Sequence, residues 1–510
     1  MRKLFILSII WVGLLPFDSC FAQVNKKPNI ILILADDLGW SDLPSYGNKF
    51  NEAPNLDRMA SEGMLFTNAY SASPVCSPAR AAIISGQYPA RLGIVAHIPG
   101  HHRPFEEVQV PNNRTQYLPA EVTTIAEALK SAGYATGFFG KWHLGDTWHM
   151  PKEEVIKYHP LQQGFDEANI GQGYYNVKFL PEREEFAEER FNEQITKFGM
   201  QFIDKHKDRP LFLVLSHYDV HVRLNADADL INKYLNKEKD SLYPSNAIYA
   251  AMIEHLDRSV GSVLKKLKET GLSENTVVVF YSDNGGLVTE HDYETSRNDW
   301  SVSDRMDIIH VQGHEKVPYN KDKDPLKFIA TSNAPLRNEK GTVFEGGIRV
   351  PMIVKWPQKI KPGTKNDALV TSVDFFPTFL ELAGVRPPKN VPLDGKSVVK
   401  ELHGENPDQE RAIFWHYPVF HHDVPAGAVR KGDWKLIQNF MTGEILLFNL
   451  KTDISESTNL ASHYPEKADE LLTLLKDWQK EIKAEFPKPN PHFDKQRRYE
   501  WALHPDLRRQ

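Results

Sequence analysis

Ser73-Pro74-Val75-Cys76-Ser77-Pro78-Ala79-Arg80-Ala81-Ala82-Ile83-Ile84-Ser85-Gly86 is the stretch from which the rest of the chain is best understood. Pro78 suits the first turn of a helix, because the N–H that proline lacks would have no partner there. The run from 79 to 85 then predicts a helix that ends at Gly86.

Cys76 lies just before this predicted helix. The positive end of a helix dipole favours a thiolate or another anionic nucleophile. Arg80, about one turn further on, adds a fixed positive charge. The stretch therefore indicates a reactive cysteine, and the competing interpretation is a structural cysteine packed at a helix start.

The composition indicates a soluble globular protein. A chain of 510 residues is long enough for one large domain and a smaller one. Its apolar content of 41% and charged content of 25% are ordinary. The net charge of −6 argues against a general nucleic-acid binder. Any charge that attracts an anionic substrate must therefore be local to its site.

Residues 1–22 have the pattern of an export signal. Arg2 and Lys3 precede an apolar run over 4–17, and cleavage is expected after Ala22. The run is shorter than the roughly 18 residues of a membrane span, and the residues before Cys20 match a lipid-attachment sequence poorly. We therefore expect a periplasmic or secreted protein in which Cys76 is the remaining cysteine and no internal disulfide forms.

Two buried strands are predicted to end in acidic residues. The apolar run 29–35 leads into Asp36-Asp37, and the run 276–282 leads into Asp283-Asn284. The carboxyl ends of parallel strands are where α/β folds place their sites. Oxygen ligands suit Ca²⁺ or Mg²⁺ rather than zinc. Either segment alone would indicate a turn, whereas the pair favours a metal site.

Further strands lead into cations and histidines. A short strand over 135–140 precedes Lys141 and His143, which an extended backbone would place on one face. A cation beside a titratable ring suits binding of an anionic ester and movement of a proton. A third buried run, 211–216, opens towards His221. The competing interpretation is a solvated lysine beside packed histidines.

The remaining pattern predicts an α/β fold with a mostly parallel sheet flanked by helices. A proline-rich stretch over 385–394 separates a smaller C-terminal α+β domain with an antiparallel sheet. The expected division is a signal at 1–22, a catalytic domain at 23–390 and the C-terminal subdomain at 391–510. Expected helices are 55–62, 123–132, 247–270, 372–383 and 468–484, with short strands at 352–356, 412–416, 428–429, 434–438 and 445–449, and an irregular insertion over about 287–333 beside the site.

Cys76-Ser77-Pro78-Ala79-Arg80 resembles the Cys-x-Pro-x-Arg sequence of type I, formylglycine-dependent sulfatases. Ala79 stands where many members carry serine. The resemblance extends from Pro28 to about Lys483 through motifs in the order of that family. These motifs are Ala35–Gly39, Cys76–Arg80, Gly140–Gly145, the strand that leads to His221, Ser282–Gly286, and Lys340-Gly341 ahead of Glu345–Pro351.

The resemblance implies an alkaline-phosphatase-like fold and a sulfuric ester hydrolase. It also implies that a sulfatase-maturing enzyme oxidises Cys76 to formylglycine, also called 3-oxoalanine, whose hydrate is the nucleophile. The implied site roles are as follows: Asp36, Asp37, Asp283, Asn284 and the modified Cys76 hold one Ca²⁺, Arg80 steadies the hydrated aldehyde, His143 stabilises the nucleophile, Lys141 and Lys340 bind the sulfate oxygens, and His221 protonates the leaving alcohol.

The resemblance further implies a sulfated saccharide as substrate, in particular sulfated galactose or N-acetylgalactosamine of a polysaccharide or glycosaminoglycan. Neither a nucleic acid nor a stable membrane span is expected. Two other functions remain open here: a phosphate or phosphonate ester hydrolase of the same superfamily, and a noncatalytic carbohydrate-binding relative. Candidate sugar contacts, with exposed loops and core aromatics as the competing interpretation, are Gly100–Arg103, His416-Tyr417, His421-His422, Trp142, Trp148 and Trp415.

Overall fold

The computed structural model describes residues 27–503 apart from 146–149, 223, 241–243, 289–329, 390, 406–407 and 409. The predicted export signal, Trp148 and most of the predicted insertion lie outside the described residues. The described strands are β1 (Asn29–Ala35), β2 (Met64–Phe66), β3 (Ala69–Tyr70), β4 (His101–His102), β5 (Val108–Gln109), β6 (Ala135–Gly140), β7 (Glu167–Ile170), β8 (Leu211–Ser216), β9 (Thr276–Ser282), β10 (Met352–Lys355), β11 (Thr364–Asn366), β12 (Val370–Thr371), β13 (Ala412–Tyr417), β14 (Ala426–Lys431), β15 (Trp434–Asn439), β16 (Ile445–Asn449), β17 (Lys488–Pro489) and β18 (Ala502–Leu503).

The large sheet has the strand order β11-β2-β10-β9-β1-β8-β6-β7. β1 lies inside it, parallel to both β8 and β9. Five of its seven strand pairs are parallel, and β10 runs antiparallel to β9 and β2. The predicted mixed, mostly parallel sheet is therefore confirmed.

The apolar run of β1 is continuous because both faces of the sheet are covered. Ile30, Leu32 and Leu34 pack into one hydrophobic cluster. Ile31 and Ile33 pack into a second cluster on the opposite face. The helices that flank the sheet and complete the fold are Pro54–Ser61, Cys76–Ser85, Pro89–Leu92, Ile125–Ser131, Lys152–Lys157, Phe191–His206, Ala228–Leu235, Ala247–Glu269, Glu345–Ile348, Phe375–Leu382, Val399–Leu402 and Pro465–Glu481.

Several helix boundaries differ from the sequence prediction by up to three residues, and two of these differences have a clear local cause. The central helix begins at Cys76, so Pro78 is its third residue. A proline is tolerated there because the first N–H groups of a helix have no intrahelical partner. The helix predicted to start near 123 begins at Ile125, because the Thr124 side chain caps it and exchanges hydrogen bonds with Glu127.

The C-terminal part forms the predicted antiparallel sheet, in the order β13-β14-β15-β16. The Pro465–Glu481 helix covers it with apolar side chains that include Leu471, Leu475 and Trp478. The chain then returns to the segment that follows the Cys76 helix, where β17 pairs with β5 and β18 with β4. Within the described residues, no helix is long and apolar enough to cross a membrane.

Candidate active site

The candidate active site lies where β1 and β9 end. Ala35 and Ser282 are partners in the parallel ladder, so Asp36 and Asp283 follow neighbouring strand ends. The Asp37 N–H donates a hydrogen bond to the Asp283 carboxylate over 3.2 Å. The expectation that the two acidic segments meet at one edge of the sheet is therefore met.

Cys76 sits against the first acidic pair. Its Sγ lies 3.3 Å from Asp36 Oδ1 and 3.7 Å from Asp37 Oδ1, and the residue is 2% exposed. Burial and the neighbouring Asp283 and Asp36 carboxylates raise the pKa of the Cys76 thiol well above its usual range. Burial and these carboxylates therefore oppose the effect of the helix dipole, which favours a thiolate or another anionic nucleophile at this position.

Arg80 connects three strand ends. Its Nε donates to Asp283 Oδ2 over 2.9 Å, and its Nη1 donates to the Lys141 carbonyl oxygen over 2.9 Å and to Ser216 Oγ over 2.6 Å. The guanidinium is buried. Burial would lower the pKa of Arg80, but Asp283 and Asp36 raise it above its usual value. The site therefore contains a permanent cation in a fixed position.

Two lysines from distant segments of the chain face the acidic pair Asp36-Asp37. Lys141 Nζ lies 2.5 Å from Asp36 Oδ2, and Lys340 Nζ lies 2.6 Å from Asp37 Oδ2. Burial opposes ionisation of Asp36, but Lys141, His221 and Arg80 hold the pKa of Asp36 below its usual range. Two ammonium groups thus lie around Cys76, and each is paired with one carboxylate of the first acidic pair.

His143 does not follow Lys141 on an extended backbone, because its φ is +57°. The reasoning that placed both side chains on one face is therefore wrong. The ring still borders the site: Nε2 donates to the Ile98 carbonyl oxygen over 2.5 Å, and Nδ1 is buried without a protein partner. Burial, Lys141 and Arg80 lower the pKa of His143 well below its usual range, so the ring is neutral.

His221 lies on the other side of the acidic pair. Its Nδ1 donates to the Val222 carbonyl oxygen over 2.5 Å, and its Nε2 lies 3.6 Å from Asp37 Oδ2. Burial, Lys340 and Lys141 lower the pKa of His221 to about 4. The ring is therefore neutral at pH 7, and Nε2 is the nitrogen that is able to take up a proton.

The oxygen-rich part of the site fits a hard cation. Asn284 Nδ2 donates to Asp37 Oδ1 over 2.8 Å, while Asn284 Oδ1 is buried without a hydrogen-bond partner. Burial raises the pKa of Asp283 to about 6. The Asp36 and Asp37 carboxylates add to this shift, and Arg80 opposes it. Carbonyl and carboxylate oxygens are the ligands that hard cations prefer, so these residues could hold such an ion.

One compact cluster of possible metal ligands differs from the predicted set, because it includes His221 and leaves out Asp283. Ligand atoms of Asp36, Asp37, Cys76 and His221 all lie within 4.8 Å of one another. Asp283 is outside this group and is engaged by Arg80. The loop that carries Asp283 is itself fixed, because a Cβ on Gly285 would lie 1.9 Å from the Gly346 carbonyl oxygen.

Comparison with known proteins decides the family. Residues 28–385 match the family model described as Sulfatase, and residues 338–485 match that described as N-sulphoglucosamine sulphohydrolase, C-terminal. The chain belongs to the sulfatase family. It is an enzyme that hydrolyses sulfate esters, because the curated relatives it matches are named sulfatases.

Three relatives illustrate the similarity of this sulfatase to others. A sulfatase of Formosa agariphila is 31% identical, over 91% of this chain and 90% of the relative. The N-acetylgalactosamine-6-sulfatase of Canis lupus familiaris is 31% identical, over 81% of this chain and 72% of the relative. The crystal structure of Ps i-CgsB in complex with k-i-k-neocarrahexaose is 26% identical, with a TM-score of 0.70, over 92% of this chain and 95% of that one.

The candidate sugar contacts of this sulfatase divide into two groups. Trp142 and Trp415 are core residues, 3% and 1% exposed, and the Trp415 indole donates to the Ser71 carbonyl oxygen. His416 is also structural, since its Nε2 donates to the Glu485 carbonyl oxygen over 2.8 Å. His101, His421 and His422 are partly exposed. Trp148 lies outside the described residues.

Sequence reasoning missed two groups of residues that border the site. His97 hydrogen-bonds His101 over 2.7 Å, and a second histidine four residues from His101 was the available signal. The Tyr174 hydroxyl donates to the His221 carbonyl oxygen, and Arg190 pairs with Asp219 over 2.5 Å beside it. No sequence signal connects these distant segments with His221.

Proposed function

We propose that this sulfatase removes an O-sulfate from a sulfated sugar, galactose or N-acetylgalactosamine of a polysaccharide or glycosaminoglycan. The observation that carries the proposal is the pair of buried ammonium groups, Lys141 and Lys340, around Cys76. The sugar is suggested by relatives, one named N-acetylgalactosamine-6-sulfatase and one structure in complex with k-i-k-neocarrahexaose.

The proposed nucleophile derives from Cys76, converted to formylglycine by a sulfatase-maturing enzyme. In support, the thiol is buried among carboxylates that raise its pKa, so an unmodified cysteine is a poor nucleophile there. The hydrate of formylglycine supplies a hydroxyl nucleophile in its place. Arg80, which lies next to Cys76 in the network of buried charges, is proposed to steady that hydrate.

The proposed metal is one Ca²⁺, held by Asp36, Asp37, Asp283 and Asn284 together with the modified Cys76. The unpartnered Asn284 Oδ1 and the raised pKa of Asp283 support this ligand set. When bound, the ion supplies positive charge that polarises the sulfate ester. Lys141 and Lys340 are proposed to bind the sulfate oxygens and to offset the negative charge that grows on them during reaction.

Proton transfer to the leaving group is assigned to His221. When the S–O bond of a sulfate ester breaks, the alcohol leaves as an alkoxide unless an acid protonates the ester oxygen. His221 is proposed as that acid, acting through Nε2 because its Nδ1–H is held by the Val222 carbonyl oxygen. The two lysines lower the pKa of His221, and a bound sulfate ester offsets their charge and raises the proton affinity of the ring. His143 is proposed to stabilise the nucleophile from the opposite side.

The test is sulfate release from a panel of defined sulfated galactose and N-acetylgalactosamine saccharides, with Ca²⁺ present. The panel also contains an aryl sulfate, a phosphate ester and a phosphonate ester. We expect release from at least one sulfated sugar and none from a Cys76→Ala control. Preferred hydrolysis of the phosphate or phosphonate ester would overturn the substrate, and saccharide binding without turnover in matured protein would favour the noncatalytic alternative.

The division of the chain and its location are part of the proposal. The catalytic domain is proposed to span 23–390 and the C-terminal subdomain 391–510, after an export signal at 1–22. The start of the four-stranded sheet at Ala412 is consistent with that division. Mass spectrometry of protein from the periplasm or the medium tests whether cleavage follows Ala22.

A further inference from the structure

Four histidines from two distant segments meet beside the candidate active site. His97 and His101 follow the Cys76 helix, and His421 and His422 lie in the loop between β13 and β14. Ring centroids lie 4.9 Å apart for His97–His101, 5.7 Å for His97–His421 and 4.4 Å for His421–His422. These four rings, called the histidine wall below, form a continuous and partly exposed surface.

The histidine wall is adjacent to the groups proposed to bind sulfate. A Cβ at position 341 would lie 2.0 Å from His421 Nδ1, so the ring rests against the glycine that directly follows Lys340. Gly341 also has a φ of +83°, which other residues rarely adopt. The His421 ring is therefore held next to the residue that follows Lys340.

Two rings of the wall, His97 and His421, are neutral. Burial, His101 and Lys340 lower the pKa of His97 well below its usual range. Burial, His422 and His97 do the same for the pKa of His421. A neutral imidazole has one donor and one acceptor nitrogen, the same pair of functions that a sugar hydroxyl offers. The wall is therefore suited to uncharged polar groups.

Two polar atoms in this region are buried without a protein partner. They are His421 Nδ1 and Tyr417 Oη. Tyr417 is 3% exposed, and Lys340 is close enough for its charge to act on the phenol. A buried polar group without a partner is unfavourable, and a ligand that supplies the missing hydrogen bond removes that penalty.

We propose that the histidine wall and Tyr417 form the sugar subsite of this sulfatase, which binds the hydroxyl or acetamido groups of the sulfated ring and decides which sugar is accepted. This inference rests on the proposed function, because it requires a sugar substrate. The sulfate lies between Lys141 and Lys340, and the sugar that carries it extends past Gly341 to the wall. Both parts of the molecule then contribute to one substrate site.

The test uses matured, Ca²⁺-loaded enzyme and the panel sugar that it desulfates fastest. We measure kcat and KM for His97→Ala, His421→Ala and Tyr417→Phe, and the Ki of inorganic sulfate as a product inhibitor. We expect kcat/KM to fall about tenfold or more, mainly through KM. The sulfate Ki should stay within about twofold, since the free ion contacts only the lysine side of the site.

Two further variants separate recognition from folding. His421→Gln keeps a donor and an acceptor and should recover much of the loss, whereas His463→Ala, an exposed histidine elsewhere, should change nothing. Unchanged kcat/KM in both His97→Ala and His421→Ala would overturn the proposal. A sulfate Ki that rises together with KM would overturn it as well, because the wall would then only support the fold.

Failure of the proposed function gives a different result. If wild-type enzyme hydrolyses the aryl sulfate and no sugar of the panel, the sugar function fails and the subsite fails with it. If wild-type enzyme desulfates a sugar and the wall variants do so equally well, the function stands and the subsite alone is refuted.

Discussion

Replacement of Lys340 by alanine removes one of the two ammonium groups around Cys76 and leaves a carboxylate behind. Lys340 Nζ lies 2.6 Å from Asp37 Oδ2, and both residues are buried. Burial opposes the charge on Lys340, but Asp37 raises its pKa, so the cation persists at neutral pH. If Lys340 binds a sulfate oxygen, its loss should reduce kcat/KM by roughly 10²–10³-fold, the effect of removing one preorganised donor.

The same substitution has a stability effect that depends on the metal. Breaking a buried ion pair from one side costs about 3–5 kcal/mol, because the other charge stays buried and unpaired. A bound Ca²⁺ neutralises Asp37 in place of the lysine. We therefore expect a small change in Tm with Ca²⁺ present and a large decrease after chelation.

The assay combines sulfate release with thermal unfolding, each with Ca²⁺ and with chelator. Lys396→Ala is the matched control, since Lys396 pairs with Asp408 over 3.2 Å on the surface and both side chains are largely exposed. It should leave activity and Tm unchanged. Normal sulfate release by Lys340→Ala would refute the role of Lys340, and an equal loss of Tm in both buffers would refute the compensation by the metal.

Three further predictions follow from the buried groups. Arg190→Met leaves Asp219 unpaired and should lower the free energy of unfolding by about 3–5 kcal/mol, measured by denaturant titration; a change below about 1 kcal/mol would contradict this. Asn284→Leu should raise by about tenfold the Ca²⁺ concentration that gives half of the maximal increase in Tm, and an unchanged titration would exclude Asn284 as a ligand. Burial lowers the pKa of His217 from 6.5 to about 4, so the unfolded state binds more protons between these values and stability should fall as pH drops from 6.5 towards 4; His217→Asn should show a shallower fall in Tm over that range.

The strands that position the site could be predicted closely from the sequence. β1, β8 and β9 have the predicted boundaries because each is an uninterrupted apolar run buried on both faces. Acidic or polar residues follow directly at the carboxyl ends of these strands, where α/β folds place their sites. The meeting of Asp36 with Asp283 required only that both strands be parallel neighbours.

The parts that could not be predicted depend on contacts between distant segments. The left-handed backbone at His143 depends on tertiary packing, because the ring is held by the Ile98 carbonyl oxygen from a distant segment. The protonated thiol of Cys76 depends on carboxylates from other strands. His416 faces the C-terminal helix, while Tyr417 lies closer to Lys340. Alternation along β13 predicts that these two side chains point to opposite faces, but it does not predict which face is turned towards the site.

Sulfate ester hydrolysis is proposed to depend on formylglycine at position 76. The most direct measurement compares the specific sulfate-release activity of several preparations with the fraction of Cys76 converted, read from the mass of the peptide that contains it. We expect activity in proportion to the converted fraction and none in Cys76→Ala. Full activity in a preparation whose Cys76 is entirely unmodified would contradict it.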